Sequence, residues 1–329
     1  MTALAPTMQA FFTDRLVRQR HASPQTVAAY RDAMRLLLAF AQARTGKAPS
    51  ELGLDQLDAE LISGFLDHLE HDRGNSIRTR NARLAAIRSL YRFAALRHPE
   101  HSALIGRVLA IPSKRFDQRI VTYLSKSEVD ALLAAPDRTT WTGRRDHALL
   151  LLAVQTGLRA SELTGLSCGD THLGTGAHVS CRGKGRKERV TPLTRATAAT
   201  LRVWLAERGG AAADPLFPTS TGRRLSRDAL EHRLARYEPA AATGCPSLRE
   251  KRVTMHVLRH TAAIRLLHAG IDTSVIALWL GHASPTTTQI YLDADLELKQ
   301  RALDQTTPPD SKPGRYQPPD TLLAFLDGL

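Results

Sequence analysis

The amino-acid sequence predicts a mainly α protein with one small β-sheet, arranged as two domains. Apolar residues in the first hundred positions recur at the spacing of amphipathic helices, about 3.6 residues per turn. Residues 177–182 and 188–193 instead resemble two short strands that a glycine-containing segment joins into a hairpin. Residues 111–120 combine proline with several cations and lack a periodic apolar pattern, which predicts a linker between the domains.

We therefore expect a helical domain over residues 1–110, a linker over 111–120, a mixed α/β domain over 121–305 and a proline-rich tail over 306–329. A length of 329 residues agrees with two domains of ordinary size. Residues 322–326 are all apolar, and an apolar segment of this kind is rarely left exposed. We expect the tail to dock through it, either on its own domain or on a neighbouring protomer.

Capping residues predict the helix boundaries of the first domain. Ser23 and Pro24 give a side-chain cap followed by proline at the first helical position, and Gly46 ends the helix that begins there. A second helix is predicted over residues 58–70. Ser76 caps a third helix, whose inward face is apolar.

The third helix is a candidate for contact with phosphate groups. Its basic residues are Arg78, Arg80, Arg83, Arg88 and Arg92. No acidic residue of the same helix can pair with these arginines, whereas exposed helix faces usually mix both signs of charge. A solvated helix face is the alternative. The phosphate-contact candidates of this region, including two linker residues, are Arg78, Arg80, Arg83, Lys114 and Arg115.

The overall charge of the chain favours an anionic partner. Lys and Arg number 45 against 32 Asp and Glu, a formal net charge of +13. Nucleic acid is the usual partner of so basic a protein, and an anionic membrane surface or a solvated basic surface is the alternative. No apolar run approaches the roughly 20 residues of a membrane span, and residues 1–13 lack the order of a secretory signal. We expect a cytoplasmic protein in which Cys168, Cys181 and Cys245 are free thiols.

The second domain has equally clear local signals. Ser125 and Glu128 form a capping box, in which each side chain binds the backbone of the other residue. An apolar helix over residues 145–155 ends at Gly157, and helices resume at Thr194. Ser226 begins a further helix that could lie at DNA. Its phosphate-contact candidates are Arg223, Arg224 and Arg227, for which an ordinary exposed surface is the alternative.

Four segments place cations or proton donors where a helical domain does not need them for packing. They are residues 156–163 with Arg159, residues 183–187 with Lys184, residues 256–260 with His256, Arg259 and His260, and residues 280–282 with His282, followed nine positions later by Tyr291. Each has an ordinary structural interpretation when taken alone. The two histidines of 256–260 could also be metal ligands, but an arginine would stand beside the cation and the glutamate of a zinc protease is missing.

Taken together, the segments resemble the tyrosine recombinase (phage integrase) family, of the Xer or transposon-type integrase. The family motifs T-G-x-R-x-x-E-L, G-K-G-x-K-E-R and H-x-L-R-H match residues 156–163, 183–189 and 256–260. The motif L-G-H followed by a tyrosine matches residues 280–282 and Tyr291. The first domain looks like the family's core-binding, SAM-like DNA-binding domain, although it carries fewer motifs. The resemblance covers nearly the whole chain.

The resemblance implies a nucleophile and two phosphate clamps. Tyr291 would attack a DNA phosphodiester and form a 3′-phosphotyrosine bond. Arg159 and Arg259 would hold the non-bridging oxygens, on which negative charge grows during the attack. Because the covalent intermediate keeps the bond energy and side chains meet the charge, neither ATP nor a metal or other cofactor is expected.

The resemblance also implies the supporting roles. Lys184 would be the general acid for the leaving 5′-oxygen, and His256 the general base or a phosphate donor. His282 would donate to a non-bridging oxygen. Glu162 would orient Arg159, and His260 would support the site.

The implied partner is double-stranded DNA with specific recombination sites. The family precedent is a tetramer on DNA, either of identical chains or with a partner recombinase. A type IB topoisomerase, which uses nearly the same chemistry, and a catalytically silent DNA-binding protein are the alternatives. The recombinase-like first half argues against the former alternative, and the intact set of catalytic residue types argues against the latter.

Overall fold

The computed structural model describes residues 4–116, 121–183 and 188–281. The chain divides into two compact units, residues 1–119 and residues 120–329. Both units are built mainly from helices, and the second also contains a small antiparallel sheet. The predicted fold class is confirmed.

Within its described residues the first unit contains five α-helices, joined in places by short 3-10 helices. The α-helices are α1 (Leu4–Ala10), which continues as a π-helix (Phe11–Gln19), α2 (Pro24–Thr45), α3 (Ala59–His71), α4 (Ile77–Ala95) and α5 (Ser102–Ala110). The predicted caps are present: the side chains of Ser23 and Ser76 each accept a backbone N–H of the first turn of their helix. Asp58, for which no cap was predicted, caps α3 in the same way. Gly46 ends α2 with a φ of 70°, a left-handed conformation that favours glycine.

Helix α4 lies at the centre of this unit. Its apolar side packs against α2, α3 and α5, and Leu84, Ile87 and Leu90 are fully buried on it. Burial of each such side chain stabilises the fold by about 1.5–3 kcal/mol. The hydroxyl of Tyr91, also buried, donates a hydrogen bond to the carbonyl of Leu57. The exposed side of α4 is therefore free to carry charge while its buried side holds the bundle together.

The first half of the predicted linker is held against α4. Asn81 Nδ2 donates to the carbonyl of Lys114 at 2.8 Å, and the backbone N–H of Lys114 donates to Asn81 Oδ1 at 3.1 Å. The guanidinium of Arg88 donates to Ser113 Oγ at 3.3 Å and to the carbonyl of Ile111. We call residues 111–116, with the side chains that hold them, the linker clasp.

Glu70 of α3 completes the linker clasp. Two predicted phosphate ligands, Lys114 and Arg80, meet this carboxylate within the unit. Lys114 Nζ donates to Glu70 Oε2 at 2.8 Å, and Arg80 Nε lies 3.7 Å from the same oxygen. The Lys114 hydrogen bond is the main reason that the pKa of the Glu70 carboxyl lies below its ordinary value. Arg80 is only 5% exposed, so the exposed basic face of α4 is formed without it. The acidic partner that α4 lacks in its own sequence comes from the neighbouring helix.

The second unit contains seven α-helices and three strands within its described residues. The helices are α6 (Lys126–Ala134), α7 (Trp141–Thr156), α8 (Ala160–Gly165), α9 (Arg195–Arg208), α10 (Arg227–Gly244), α11 (Met255–His268) and α12 (Thr273–Leu280). The strands are β1 (Thr171–His172), β2 (His178–Arg182) and β3 (Glu188–Pro192), antiparallel in the order β1-β2-β3. The predicted hairpin is β2–β3. Strand β1 has two residues, too few to show a sequence pattern.

Helix α7 is the core element of the second unit and packs against α9 and α11. It begins one turn before the predicted 145–155 span, because Thr140 Oγ1 accepts the N–H of Gly143 at 3.0 Å. Near its start, the buried Asp146 accepts from Arg145 Nε at 2.8 Å and from Tyr237 Oη of α10 at 2.6 Å. This buried pair is compensated by several hydrogen bonds, as a charge in a core must be.

No helix in the described ranges is both long enough and apolar enough to cross a membrane.

Replacing Asn81 with alanine is expected to open the linker clasp. The change removes both hydrogen bonds to Lys114, and we expect the first unit to lose about 1–2 kcal/mol of unfolding free energy. Limited proteolysis should then cut within residues 111–116 faster than in the wild type. Asn75, in the turn before α4 and outside the clasp, provides the matched Asn75→Ala control. Equal cutting of wild type and Asn81→Ala would contradict the clasp.

The capping box of α6 predicts a pH-dependent stability. The Glu128 side chain, 2% exposed, accepts from Lys251 Nζ at 2.7 Å, from Ser247 Oγ at 2.6 Å and from the N–H of Ser125 at 2.7 Å. Burial raises the pKa of the Glu128 carboxyl, but these three donors outweigh burial and hold the pKa below its ordinary value of 4.5.

A carboxyl group whose pKa is lower in the folded than in the unfolded protein stabilises the fold at pH values above its unfolded-state pKa. This stabilisation is lost as the pH falls through the folded-state pKa. We expect Glu128→Gln to lower the unfolding free energy by about 2 kcal/mol near neutral pH. The difference from wild type should shrink as the pH falls below about 4.5. Denaturant unfolding of both proteins between neutral pH and pH values below that point measures it. A difference that is constant over this range would show that the Glu128 charge is not responsible.

Candidate active site

The site begins at the turn between α7 and α8. Gly157 ends α7 with a φ of 64°, and Arg159 follows as the N-cap residue of α8 in extended conformation. The backbone N–H of Arg159 donates to Glu162 Oε2 at 2.8 Å. The glutamate at the third helical position therefore caps α8, and Arg159 projects from the start of the helix with its side chain 32% exposed.

Glu162 is a buried carboxylate shared by two guanidinium groups. Its side chain is 3% exposed. Arg159 Nη1 donates to Oε1 at 2.8 Å, while Arg189 of β3 donates from Nη1 to Oε1 at 3.1 Å and from Nη2 to Oε2 at 2.8 Å. Burial raises the pKa of the Glu162 carboxyl, but the Arg159 backbone and the Arg189 and Arg159 guanidinium groups outweigh it and hold the pKa below its ordinary value. The carboxylate is thus charged at neutral pH.

Arg259 of α11 joins the ends of two other helices. It is 3% exposed; Nη1 donates to the carbonyl of Gly157 at 2.7 Å and Nη2 to the carbonyl of Leu280 at 2.6 Å. Arg159 Nη2 reaches the carbonyl of the next residue, Gly281, at 3.1 Å. Carbonyls at a helix C-terminus carry partial negative charge, which stabilises cations placed there. The structure therefore brings the two predicted phosphate clamps to adjacent peptide groups.

The two histidines of α11 lie one turn apart. The rings of His256 and His260 are 4.1 Å apart between centroids, in an edge-to-face arrangement. His260 is 8% exposed, whereas His256 is on the exposed side of the helix. His256 is thus in the position expected of a residue that meets a substrate, and His260 lies behind it. Nowhere in the described residues do three or more His, Cys, Asp or Glu side chains form a group that could hold a metal ion.

The end of α12 is fixed from several sides. Trp279 Nε1 donates to the carbonyl of Thr156 at 3.1 Å, which ties α12 to the end of α7. Gly281 follows α12 with a φ of 65°, and a Cβ atom at this position would lie 2.4 Å from Arg189 Nη1. Glycine is therefore required both by the backbone conformation and by the close approach of Arg189.

Three predicted catalytic residues lie outside the described residues. Lys184 falls within 184–187, and His282 and Tyr291 fall within 282–329, as does the predicted tail at 306–329. They stay predictions. Their chain neighbours are described: strands β2 and β3 flank the segment with Lys184, and Gly281 immediately precedes His282.

The predicted phosphate-contact residues of the first unit are in different environments. Arg78 is exposed, and its guanidinium lies 5.5 Å from the ring centre of Phe116. Arg83, half-buried, donates from Nη1 to the carbonyl of Ala29 at 3.1 Å. Arg115 is exposed. Arg78 and Arg115 are therefore accessible to a ligand, and Arg83 has one of its donors engaged within the bundle.

The candidates before α10 also differ. Arg224 Nη1 donates to the carbonyl of Leu166 at 3.1 Å and to that of Gly165, at the end of α8, and its Nη2 donates to Ser167 Oγ at 2.8 Å. Arg224 therefore caps α8. Arg223 and Arg227 are exposed, as contact with phosphate would require.

Arg189 is the functional-site residue that the sequence interpretation missed. It is the last residue of the G-K-G-x-K-E-R motif, so a signal was available. An arginine in a strand beside a predicted hairpin tip gives no indication, however, that it meets a carboxylate 27 positions away.

Comparison with known proteins identifies the family of the chain. The model of the phage integrase family matches residues 122–297, and the model of the phage integrase N-terminal SAM-like domain matches residues 10–98. A Sinorhizobium fredii protein named integrase/recombinase y4rC is 55% identical over 327 residues, covering 99% of this chain and 98% of that protein. The tyrosine recombinase XerC of Pelobacter propionicus is 34% identical over 303 residues, covering 89% and 92%.

Solved structures show the same fold. The XerH site-specific recombinase, in a post-cleavage complex with its palindromic difH substrate, gives a TM-score of 0.69 at 24% identity over 87% of this chain and 81% of that chain. The Tn1549 transposon integrase in complex with circular intermediate DNA gives a TM-score of 0.69 at 16% identity over 93% and 100%.

The fold and the site thus define a class: a SAM-like helical unit followed by an integrase catalytic unit with paired arginines around a buried glutamate. The chain belongs to the phage integrase family and is an enzyme of the tyrosine recombinase class. The family predicted from the four motifs is confirmed.

The close packing at Gly157 gives a test of the site's framework. A Cβ atom there would lie 2.6 Å from Leu280 Cδ2, at a φ of +64°. We expect Gly157→Ala to lower the unfolding free energy of the second unit by about 1–3 kcal/mol. Gly165→Ala is the control, because a Cβ atom at Gly165 meets nothing within 4 Å. Denaturant unfolding in which both variants behave alike would contradict the packing of α12 against this turn.

Proposed function

We propose that this chain is an integrase-type site-specific DNA recombinase that cleaves and rejoins DNA through a 3′-phosphotyrosine intermediate on Tyr291, without metal or ATP. One observation carries the proposal: Arg159 and Arg259 converge on the peptide groups of Leu280 and Gly281, directly before His282 in the chain. A pair of guanidinium groups at this point suits the two non-bridging oxygens of a phosphodiester.

In the proposed reaction the Tyr291 oxygen forms a bond to phosphorus as the bond from phosphorus to the 5′-oxygen breaks. The phenol proton passes to His256, and Lys184 supplies a proton to the leaving 5′-oxygen. Arg159, Arg259 and His282 stabilise the charge on the non-bridging oxygens. Each such donor contributes about 3–4 kcal/mol to transition-state stabilisation, by analogy with oxyanion holes. Rejoining is the reverse reaction with a 5′-hydroxyl from another strand.

The charge distribution supports double-stranded DNA as the substrate. The chain carries a formal net charge of +13. Arg78 and Arg115 of the first unit and Arg223 and Arg227 of the second are exposed and suited to phosphate contact. The two solved structures named above are complexes with a palindromic difH substrate and with circular intermediate DNA.

Strand exchange between two sites needs more than one active site. We therefore propose that the chain acts as a tetramer on paired recombination sites, either alone or with a partner recombinase. The apolar segment at 322–326, outside the described residues, is our candidate for contact between protomers. We infer a cytoplasmic location from DNA as the substrate and from the three free cysteines.

A covalent adduct tests the nucleophile. Wild-type protein incubated with nicked duplexes from the DNA that flanks its gene should form a protease-sensitive protein–DNA adduct in the presence of EDTA and without ATP. Tyr291→Phe should abolish the adduct and leave salt-dependent DNA binding intact. Tyr123→Phe, which removes a phenol elsewhere in the second unit, should form the adduct normally. An adduct that persists in Tyr291→Phe would refute the assignment.

The same reaction separates the competing activities. Joining of strands from two different site-bearing duplexes indicates a recombinase. Relaxation of supercoiled DNA that lacks any specific site indicates a topoisomerase. Binding without any adduct on the flanking DNA indicates a DNA-binding protein and would overturn the proposal.

A further inference from the structure

Arg189 occupies an unusual position in the site. Its side chain is 11% exposed, and both of its terminal nitrogens donate to Glu162, at 3.1 and 2.8 Å. The same two carboxylate oxygens accept from Arg159, one from its backbone N–H and one from Nη1. Glu162 thus binds two guanidinium groups at once, one on the proposed phosphate side and one on the side of the sheet.

The charges of this cluster depend on the second guanidinium. Glu162 and Arg159 alone form a neutral pair, and the buried carboxylate would compete with a substrate phosphate for the Arg159 guanidinium. Arg189 supplies a second positive charge to the same carboxylate, so the cluster has a net charge of one positive unit. An anion approaching the 32%-exposed Arg159 side chain then meets a positive potential rather than a neutralised ion pair.

Arg189 also lies between two segments that lead to predicted catalytic residues. In the sheet it pairs with Cys181, one step before the Arg182–Glu188 pair that closes the hairpin containing Lys184. On its other side it packs against Gly281, where a Cβ atom would lie 2.4 Å from Nη1 and 3.3 Å from Cδ. Gly281 directly precedes His282. The backbone of Arg189 therefore belongs to the β2–β3 pair, while its side chain contacts α8 and the residue that follows α12.

We propose that Arg189 is a positioning residue of the cleavage reaction: it neutralises Glu162 so that Arg159 can bind the scissile phosphate, and it holds β3 against the end of α12. This role rests on the proposed function. It predicts a defect in chemistry that exceeds any defect in DNA affinity or folding.

The first experiment measures single-turnover adduct formation on nicked duplexes at saturating protein. We expect Arg189→Gln to slow adduct formation by about 10- to 100-fold, the cost typical of losing a residue that orients a catalytic group. The affinity for the duplex should be unchanged. Arg189→Lys, which keeps the charge but not the two-pronged contact, should recover part of the rate. Arg144→Gln is the matched control, because it removes a two-pronged contact to Glu207, at 2.8 and 2.7 Å, elsewhere in the second unit; its rate should equal that of the wild type.

Two further measurements distinguish positioning from a purely structural role. In the double variant Arg189→Gln/Glu162→Gln the uncompensated carboxylate is gone, so the combined defect should be smaller than the product of the single defects. A methylphosphonate at the scissile position removes one negative oxygen from the substrate. The Arg189→Gln defect should be smaller on that substrate, whereas a misfolded site would react equally poorly with both.

The outcomes separate this proposal from the proposed function. A wild-type adduct that forms at the same rate in Arg189→Gln overturns the role of Arg189 and leaves the recombinase intact. Defects that multiply in the double variant and persist on methylphosphonate DNA also overturn it. A wild-type protein that forms no Tyr291-dependent adduct overturns both.

Discussion

A buried carboxylate at Glu162 is the constraint around which the second unit is arranged. A charge with a side chain 3% exposed is costly unless cations and hydrogen-bond donors surround it. Here the donors come from the start of α8 and from β3, and one of the cations, Arg159, extends to the peptide group after α12. Segments separated by up to 122 positions in the chain are thereby drawn to one point. The contacts that compensate the buried charge of Glu162 are also the contacts that orient Arg159, the residue proposed to bind phosphate.

Features that depend on neighbouring residues in the chain could be predicted from the sequence. Ser76 and the Ser125–Glu128 box cap their helices as expected, because a cap depends on a side chain within three positions of the backbone group that it binds. Arg80 could not be interpreted in this way. Its helix has no acidic residue, but Glu70 of α3 reaches it, and the balance of charge on a helix face depends on which helix packs beside it.

The same distinction applies to the site. Motif spacing predicts that Arg159, His256 and Arg259 belong to one site, and the structure places both arginines at adjacent carbonyls. Which nitrogen meets which carbonyl is decided by the packing of α7, α11 and α12, and no spacing rule describes that. Arg189 was in a recognised motif, but its partner lies on another element. The role of Arg189 follows from its contact with Glu162, and this contact is seen only once the positions of Arg159, Glu162 and Arg189 are all known.

The two backbone contacts of Arg259 affect the order in which an enzyme of this class can lose its residues during evolution. Its guanidinium caps two helices through the carbonyls of Gly157 and Leu280, so the cation assigned to the substrate is also part of the framework. The contacts of Arg259 with Gly157 and Leu280 do not involve the proposed nucleophile, Tyr291, so loss of Tyr291 would not remove them. Loss of Arg259 would release the end of α12 and erode the domain itself. Inactive descendants are therefore expected to lose the tyrosine first and to keep the arginine long after the chemistry has gone.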